Sequence, residues 1–189
     1  MSDRRLRTVV ADTSALVSLA VPRADAGVDT DTPDPFQYLL TSCEVFVPPE
    51  VVTELRDLTQ YQDIHAAAAN NVLAARGHYT VKHPYDRDDT PDSRPTFGLD
   101  DGETDAIVLA NSLGVDGFLT DEFGGTNFPL IHAVLQGPRI VPTPRLIVEY
   151  ARNGHLTHEA GRRLITTISP HRSWENSPYV TQLLQRLDA

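Results

Sequence analysis

Lysine is almost missing from this chain: Lys82 is the only one in 189 residues, and the other fifteen basic residues are arginines. Cysteine occurs once, as Cys43. One cysteine excludes an internal disulfide and a cysteine-based zinc site, and Cys43 is expected to pack as a small apolar residue. No apolar run approaches the roughly 20 residues that span a bilayer, so no membrane span is expected. Met1-Ser2-Asp3-Arg4-Arg5-Leu6-Arg7 leads directly into an apolar strand, without the longer apolar stretch and cleavage site of a signal peptide. A cytoplasmic chain is therefore expected.

What the chain has in excess is aspartate. Asp outnumbers Glu by 18 to 8, and the formal charge is -10. Such a charge weighs against a polyanionic partner. Together with the shortage of lysine, however, the bias looks like salt adaptation of the haloarchaeal, archaeal kind. In about 1 M salt the Debye length falls to roughly 3 Å and distant repulsion fades. Most of these aspartates serve solubility. The length and an apolar fraction of 40 % fit one domain with a sizeable core.

Along the chain, Thr8 to Ala11 reads as a buried strand, and a helix from Ala15 to Ala20 follows, capped by Thr13 or Ser14. Pro22 to Pro35, with three prolines and four aspartates, reads as a loop. Phe36 to Thr41 is a short helix and Glu44 to Val47 a strand. Pro49 suits a first helical position, with the helix running to about Leu58. Gln60 to Arg76 is helical and stopped by Gly77, and Tyr79 to Lys82 is a strand. His83 to Gly98, rich in proline and aspartate, is a second loop. A helix from Gly102 to Leu113 ends at Gly114, and Val115 to Thr120 is a strand. Thr126 or Asn127 caps a helix to about Gln136, and Arg139 to Val141 is a last strand. Pro144 to Arg152, Thr157 to Ile168 and Tyr179 to Leu187 are helical. Alternating strands and helices predict an α/β fold with a parallel sheet of about five strands between helical layers. It is read as one domain over 1–189, with a core of about 7–142 and a C-terminal helical extension of about 143–189.

Sites in such sheets form at the carboxyl ends of strands. Asp12 closes the run Val9-Val10-Ala11, and Asp121 follows Phe118-Leu119-Thr120. A carboxylate at the end of an apolar strand is costly unless a cation or polar partner meets it. Glu54 lies in the helix after the second strand. Glu103 and Asp105 share the first turn of another helix, where the dipole alone would favour acids. At about 100° per residue they point apart, and Glu103, seven residues before Ala110 and so on its face, lies at the inner edge. Four acids gathered at one spot cannot all stay ionised without a cation between them. The leading reading is a divalent-metal site on Asp12, Glu103 and Asp121, with Glu54 beside it, acting as a nucleic-acid hydrolase. Ser14, Asp105 and Glu122 are auxiliary candidates, with Asp105 also a replacement for Glu103, and Asn127 is a weaker one. The seven histidines (His65, His78, His83, His132, His155, His158, His171) show no ligand spacing and are read as non-ligands.

Together these motifs resemble the PIN-domain family. The residues that carry the resemblance are Asp12-Thr13-Ser14 after the first strand, Glu54, the segment Gly102-Glu103-x-x-Ala106-Ile107-x-Leu109-Ala110, and Asp121. The glutamate segment, Gly154-x-Leu156 and the C-terminal helices are similar to a prokaryotic PIN subfamily related to VapC toxins. The resemblance implies a three-layer α/β/α fold and a Mg²⁺- or Mn²⁺-dependent endoribonuclease. In that role Asp12 and Asp121 bind the ion, Glu103 binds it directly or through water, and Glu54 orients or deprotonates the attacking water. It also implies RNA as substrate and an antitoxin as protein partner, with a homodimer as a candidate assembly. The chain departs from the subfamily where a basic residue usually follows the strand-four acid; Gly124-Gly125-Thr126-Asn127 stands there instead.

Two other classes compete. A PIN fold without catalysis could bind RNA or a protein. An aspartic protease would share Asp12-Thr13-Ser14, but the helix-rich pattern contradicts an all-β fold, and a dehalogenase-type phosphatase would need an acid where Ser14 stands. Arginines available to RNA are Arg4, Arg5 and Arg7 near the first strand and Arg162 and Arg163 on a late helix, all of which charge balance would also explain.

Overall fold

The structure, a computed structural model, describes residues 6–29, 31–123 and 125–187. Arg4 and Arg5 lie outside the described residues, as does Gly124. Five parallel strands form one sheet in the order β3-β2-β1-β4-β5. They are β1 (Thr8–Ala11), β2 (Glu44–Val47), β3 (Thr80–Val81), β4 (Gly117–Leu119) and β5 (Arg139–Ile140). β1 is central, and its β-branched residues suit a strand packed on both faces. Side chains alternate as the pleat requires: Val9 and Ala11 join one apolar cluster and Val10 the other.

Helices cover both faces, giving an α/β/α sandwich. One face carries α5 (Asp101–Leu113) and α6 (Phe128–Val134), whose Ile107, Leu109 and Ile131 pack with Val10 and Phe118. The other cluster draws in α1 (Thr13–Ala24), α2 (Pro35–Ser42), α3 (Pro49–Leu58) and α4 (Ile64–Ala74). The same cluster holds Leu146 and Ile147 of α7 (Thr143–Arg152), Leu164 and Ile168 of α8 (His158–Arg172), and Leu183 of α9 (Pro178–Gln185). The C-terminal helices thus share the apolar core of the strands. Cys43 is half-buried at its edge, with Sγ 3.6 Å from the Leu6 carbonyl oxygen.

Several boundaries differ from the sequence expectation for local physical reasons. α1 begins at Thr13 because Asp12, not Thr13 or Ser14, is its cap: the Asp12 carboxylate accepts from the Ala15 N–H at 2.9 Å. It continues through Pro22, which cannot donate to the carbonyl four residues back, and the helix ends two residues later at Ala24. Pro170 lies in the last turn of α8 in the same way. α4 starts late because Asp63 caps it, accepting from Ala66 N–H at 2.9 Å. Gly77 does not stop α4; it lies in a 3-10 turn, Arg76–His78. Gly114 does stop α5, in the left-handed conformation (φ 60°) that glycine adopts without a Cβ penalty.

The strand order places the site. From β1 the chain moves to β2 and β3 on one side, then returns past β1 to β4 and β5 on the other. The connections leaving β1 and β4 diverge, and a crevice opens at their carboxyl ends. Asp12 directly follows β1, and Asp121 comes two residues after β4. The Asp12 N–H donates to the Leu119 carbonyl oxygen at 3.0 Å, so the ladder carries both strand ends to the same level.

Candidate functional site

Asp12 and Asp121 are joined through Ser14. The Asp121 N–H donates to Ser14 Oγ at 2.9 Å, and that hydroxyl donates to Asp12 Oδ1 at 2.8 Å. Both carboxylates are buried, Asp12 at 3 % exposure and Asp121 at 7 %. Asp121 Oδ1 accepts from the Thr143 N–H at 2.7 Å, at the start of α7, where free N–H groups and the helix dipole favour an anion. Its Oδ2 is buried and makes no well-formed hydrogen bond, although the Ser18 and Thr143 hydroxyls lie close enough to favour its charge.

Beside Asp12 opens a cleft of about 240 Å³ lined by Asp12, Thr13, Glu54, Asp100, Glu103 and Glu122, with Ser14 and Arg172. Glu103 is buried, its Oε2 accepting from Asn127 Nδ2 at 3.3 Å and its Oε1 unpartnered. Glu54, half-buried on α3, accepts a short hydrogen bond from the Thr13 hydroxyl. Its carboxylate lies against the backbone of Gly102, where a Cβ would overlap the carboxylate carbon and both oxygens. The glycine before Glu103 thus lets α5 approach α3 and brings Glu54 and Glu103 to one cleft.

Electrostatics follows the burial. Desolvation pushes Asp12 from 3.8 to about 7, against hydrogen bonds from Thr120, Ala15 and Ser14 that favour its charge. Glu103 rises from 4.5 to about 8, through burial and then the charges of Asp100, Asp12 and Glu122. Burial also raises Glu54 and Asp121, and for Asp121 the Ser18 hydroxyl and then the Arg172 charge pull it partly back. The cleft therefore carries too much negative charge to be fully ionised by itself.

Of the expected site residues, Asp12, Glu54, Glu103, Ser14 and Glu122 line the cleft. Asp121 is not among the lining side chains but adjoins them behind Ser14. Asp105 is held elsewhere. Arg94 donates to both its oxygens at 2.8 Å and the Tyr85 hydroxyl donates at 2.6 Å. These partners belong to the 83–98 loop, and Asp105 does not line the cleft. Among the described residues no group of three or more His, Cys, Asp or Glu side chains is arranged to hold a metal ion. The donor set still suits a hard cation: the acids offer only oxygen, and Glu103 Oε1 and Asp121 Oδ2 are buried without a well-formed hydrogen bond. An unpaired buried carboxylate oxygen is expensive, and a cation would offset that cost.

Three cleft residues were not anticipated. Asp100 caps α5 by accepting from the Glu103 N–H at 2.7 Å. The spacing Asp100-x-x-Glu103 is a helix-start signal that could have revealed it. Thr13 carries no sequence signal beyond a helix cap and its place between Asp12 and Ser14. Arg172, from the end of α8, carries no local signal. No protein-family model, no curated protein and no solved structure matches the chain.

Proposed function

We propose that the chain is a metal-dependent ribonuclease of the PIN-domain kind, hydrolysing phosphodiester bonds of RNA in the acidic cleft. The observation that carries this reading is the convergence of acids from four separate elements. They gather at the switch point between β1 and β4, where two buried carboxylate oxygens lack a well-formed hydrogen bond. Asp12 and Glu103, with Asp121 behind Ser14, are the residues that would hold Mg²⁺ or Mn²⁺. When bound, such an ion supplies Lewis acidity and neutralises charge at the scissile phosphate. Ser14 holds Asp12 in orientation through its hydrogen bond to Oδ1. Glu54, whose burial favours the protonated form, is suited to take the proton of the attacking water, and Thr13 fixes its carboxylate. Asp100 and Glu122 add negative field that favours cation binding.

The test is cleavage of labelled single-stranded RNA with Mn²⁺. Wild-type protein should cleave, and Asp12→Asn and Glu103→Gln should each lose about 10²-fold or more, the scale of removing a group that acts in the transition state. Equal rates for wild type and Asp12→Asn would reject the assignment. A second reading, a non-catalytic module that binds RNA or a protein such as an antitoxin, is favoured by one fact: among the described residues the acids as they stand do not form a metal-holding group. RNA binding without Mn²⁺-dependent cleavage would select it. Self-association as a homodimer and pairing with an antitoxin belong to the proposal; sedimentation tests the first, and a short reading frame encoded beside this one, whose product co-purifies on co-expression, would support the second.

A further inference from the structure

A second cleft, of about 410 Å³, adjoins the acidic one, and the two share Thr13, Ser14 and Arg172. Its chemistry is different. Val17 and Leu58 line it, with Asp63 as its one acid, His65, and Tyr61, which has 65 % of its surface exposed. The other large exposed apolar residue among those described, Leu130, lines neither cleft. Arg172 is the basic side chain common to both clefts, and its Nε is buried without a hydrogen-bond partner. A guanidinium N–H left unpaired in a buried place has a strong donor to offer an anion.

Arg172 is also firmly positioned. It is the last residue of α8, followed by Ser173 in the left-handed region (φ 57°), the one non-glycine with positive φ among the described residues. His65 Nε2 meets the His171 carbonyl oxygen at 2.9 Å, and the His171 ring lies 3.7 Å from Asp25. Beyond Ser173, buried Trp174 packs its ring 5.7 Å from that of Phe123, two residues after Asp121. The end of α8 is thus held by α1, α4 and the segment leaving β4.

We propose that this second cleft is a nucleotide subsite. It takes the base of the nucleotide next to the scissile phosphate of single-stranded RNA, with Tyr61 as the stacking face and Arg172 as the phosphate anchor. The proposal rests on the nuclease reading of the neighbouring cleft. Stacking on an aromatic face tolerates any base, and a planar guanidinium matches phosphate oxygens bidentately. In a chain of formal charge -10, a cation beside the acidic cleft gives the phosphate a local reason to bind. Stacking also survives high salt, which screens the charge contacts.

The test uses a short fluorescent single-stranded RNA, with Asp12→Asn as the parent so that the probe stays intact, and anisotropy as the readout. Tyr61→Ala in that parent should raise Kd about 5- to 100-fold, at low and high KCl alike, while Tyr61→Phe should bind as the parent does. Arg172→Ala should weaken binding mostly at low KCl and reduce the salt slope by about one, with Arg172→Lys partly restoring it. Circular dichroism melting checks that each variant folds. If wild type cleaves RNA and folded Tyr61→Ala binds like its parent, the subsite is wrong and the nuclease reading stands. If Tyr61→Ala weakens binding but wild type never cleaves, the subsite stands and catalysis falls. If no protein binds or cleaves RNA, both fall.

Discussion

Gly102 matters because of Glu54. The glutamate carboxylate fills the space a side chain at 102 would need. Gly102→Ala is therefore expected to destabilise the fold by about 1–3 kcal/mol, the usual range for overpacking, and to displace Glu54. In a Glu54→Ala background the same change should cost little, and urea unfolding of the four proteins gives the coupling directly. Asp12 and Glu103 make a prediction of opposite flavour. The folded Asp12 value of about 7 lies above the ordinary 3.8, so between these values the folded state holds more protons than the unfolded chain. Stability of the metal-free protein therefore falls as pH rises across that window, and Glu103 carries the fall on toward 8. Asp12→Asn, already neutral, should melt higher than wild type above that window, by an energy on the order of 4 kcal/mol at most. A melting curve that rises with pH in wild type and not in Asp12→Asn would contradict this.

At the scale of elements, α5 is clamped at both ends of its first turn. Asp100 caps it, and Arg94 from the 83–98 loop pairs with Asp105 at 2.8 Å, Asp101 at 2.6 Å and Glu50 of α3 at 3.6 Å. Arg94→Ala strands the buried Asp105, so a loss of about 3 kcal/mol is expected, at the low end for breaking such a pair because Arg94 is partly exposed. Protease cleavage within 83–98 should become faster. Arg94→Ala/Asp105→Asn should recover most of the stability; no recovery would mean that the pair is not what holds the loop. The elements themselves were largely legible. Apolar runs marked the strands, Pro49 and Gly114 marked helix ends, and the acid after each of β1 and β4 was visible as such. Caps were harder, because Thr13 and Ser14 are as good cap residues as Asp12, and only the structure shows that Asp12 caps α1. The pairing of Asp105 with Arg94 was not legible, because Arg94 sits in a segment without periodicity. Arg172 was invisible for a deeper reason: only the packing of α8 on α1 and α4 brings it to the cleft.

For the molecule as a whole, the topology does the gathering. A parallel sheet whose strand order reverses between β1 and β4 brings together residues from 12 to 172, and no local pattern encodes that distance. The charge that results is unfavourable in the metal-free protein, so ion binding should be linked to stability. Saturating Mn²⁺, at about 100 times its Kd, should add about 2.7 kcal/mol, with a smaller gain at low pH, where protons compete for the same carboxylates. Asp12→Asn should lose this gain, and calorimetric melting with and without the ion measures it.

The most direct measurement is anomalous diffraction from a crystal soaked in Mn²⁺. A peak in contact with the carboxylate oxygens of Asp12 and Glu103 or Asp121 is the predicted result. Density confined to surface aspartates, with the crevice between β1 and β4 empty, would contradict the account.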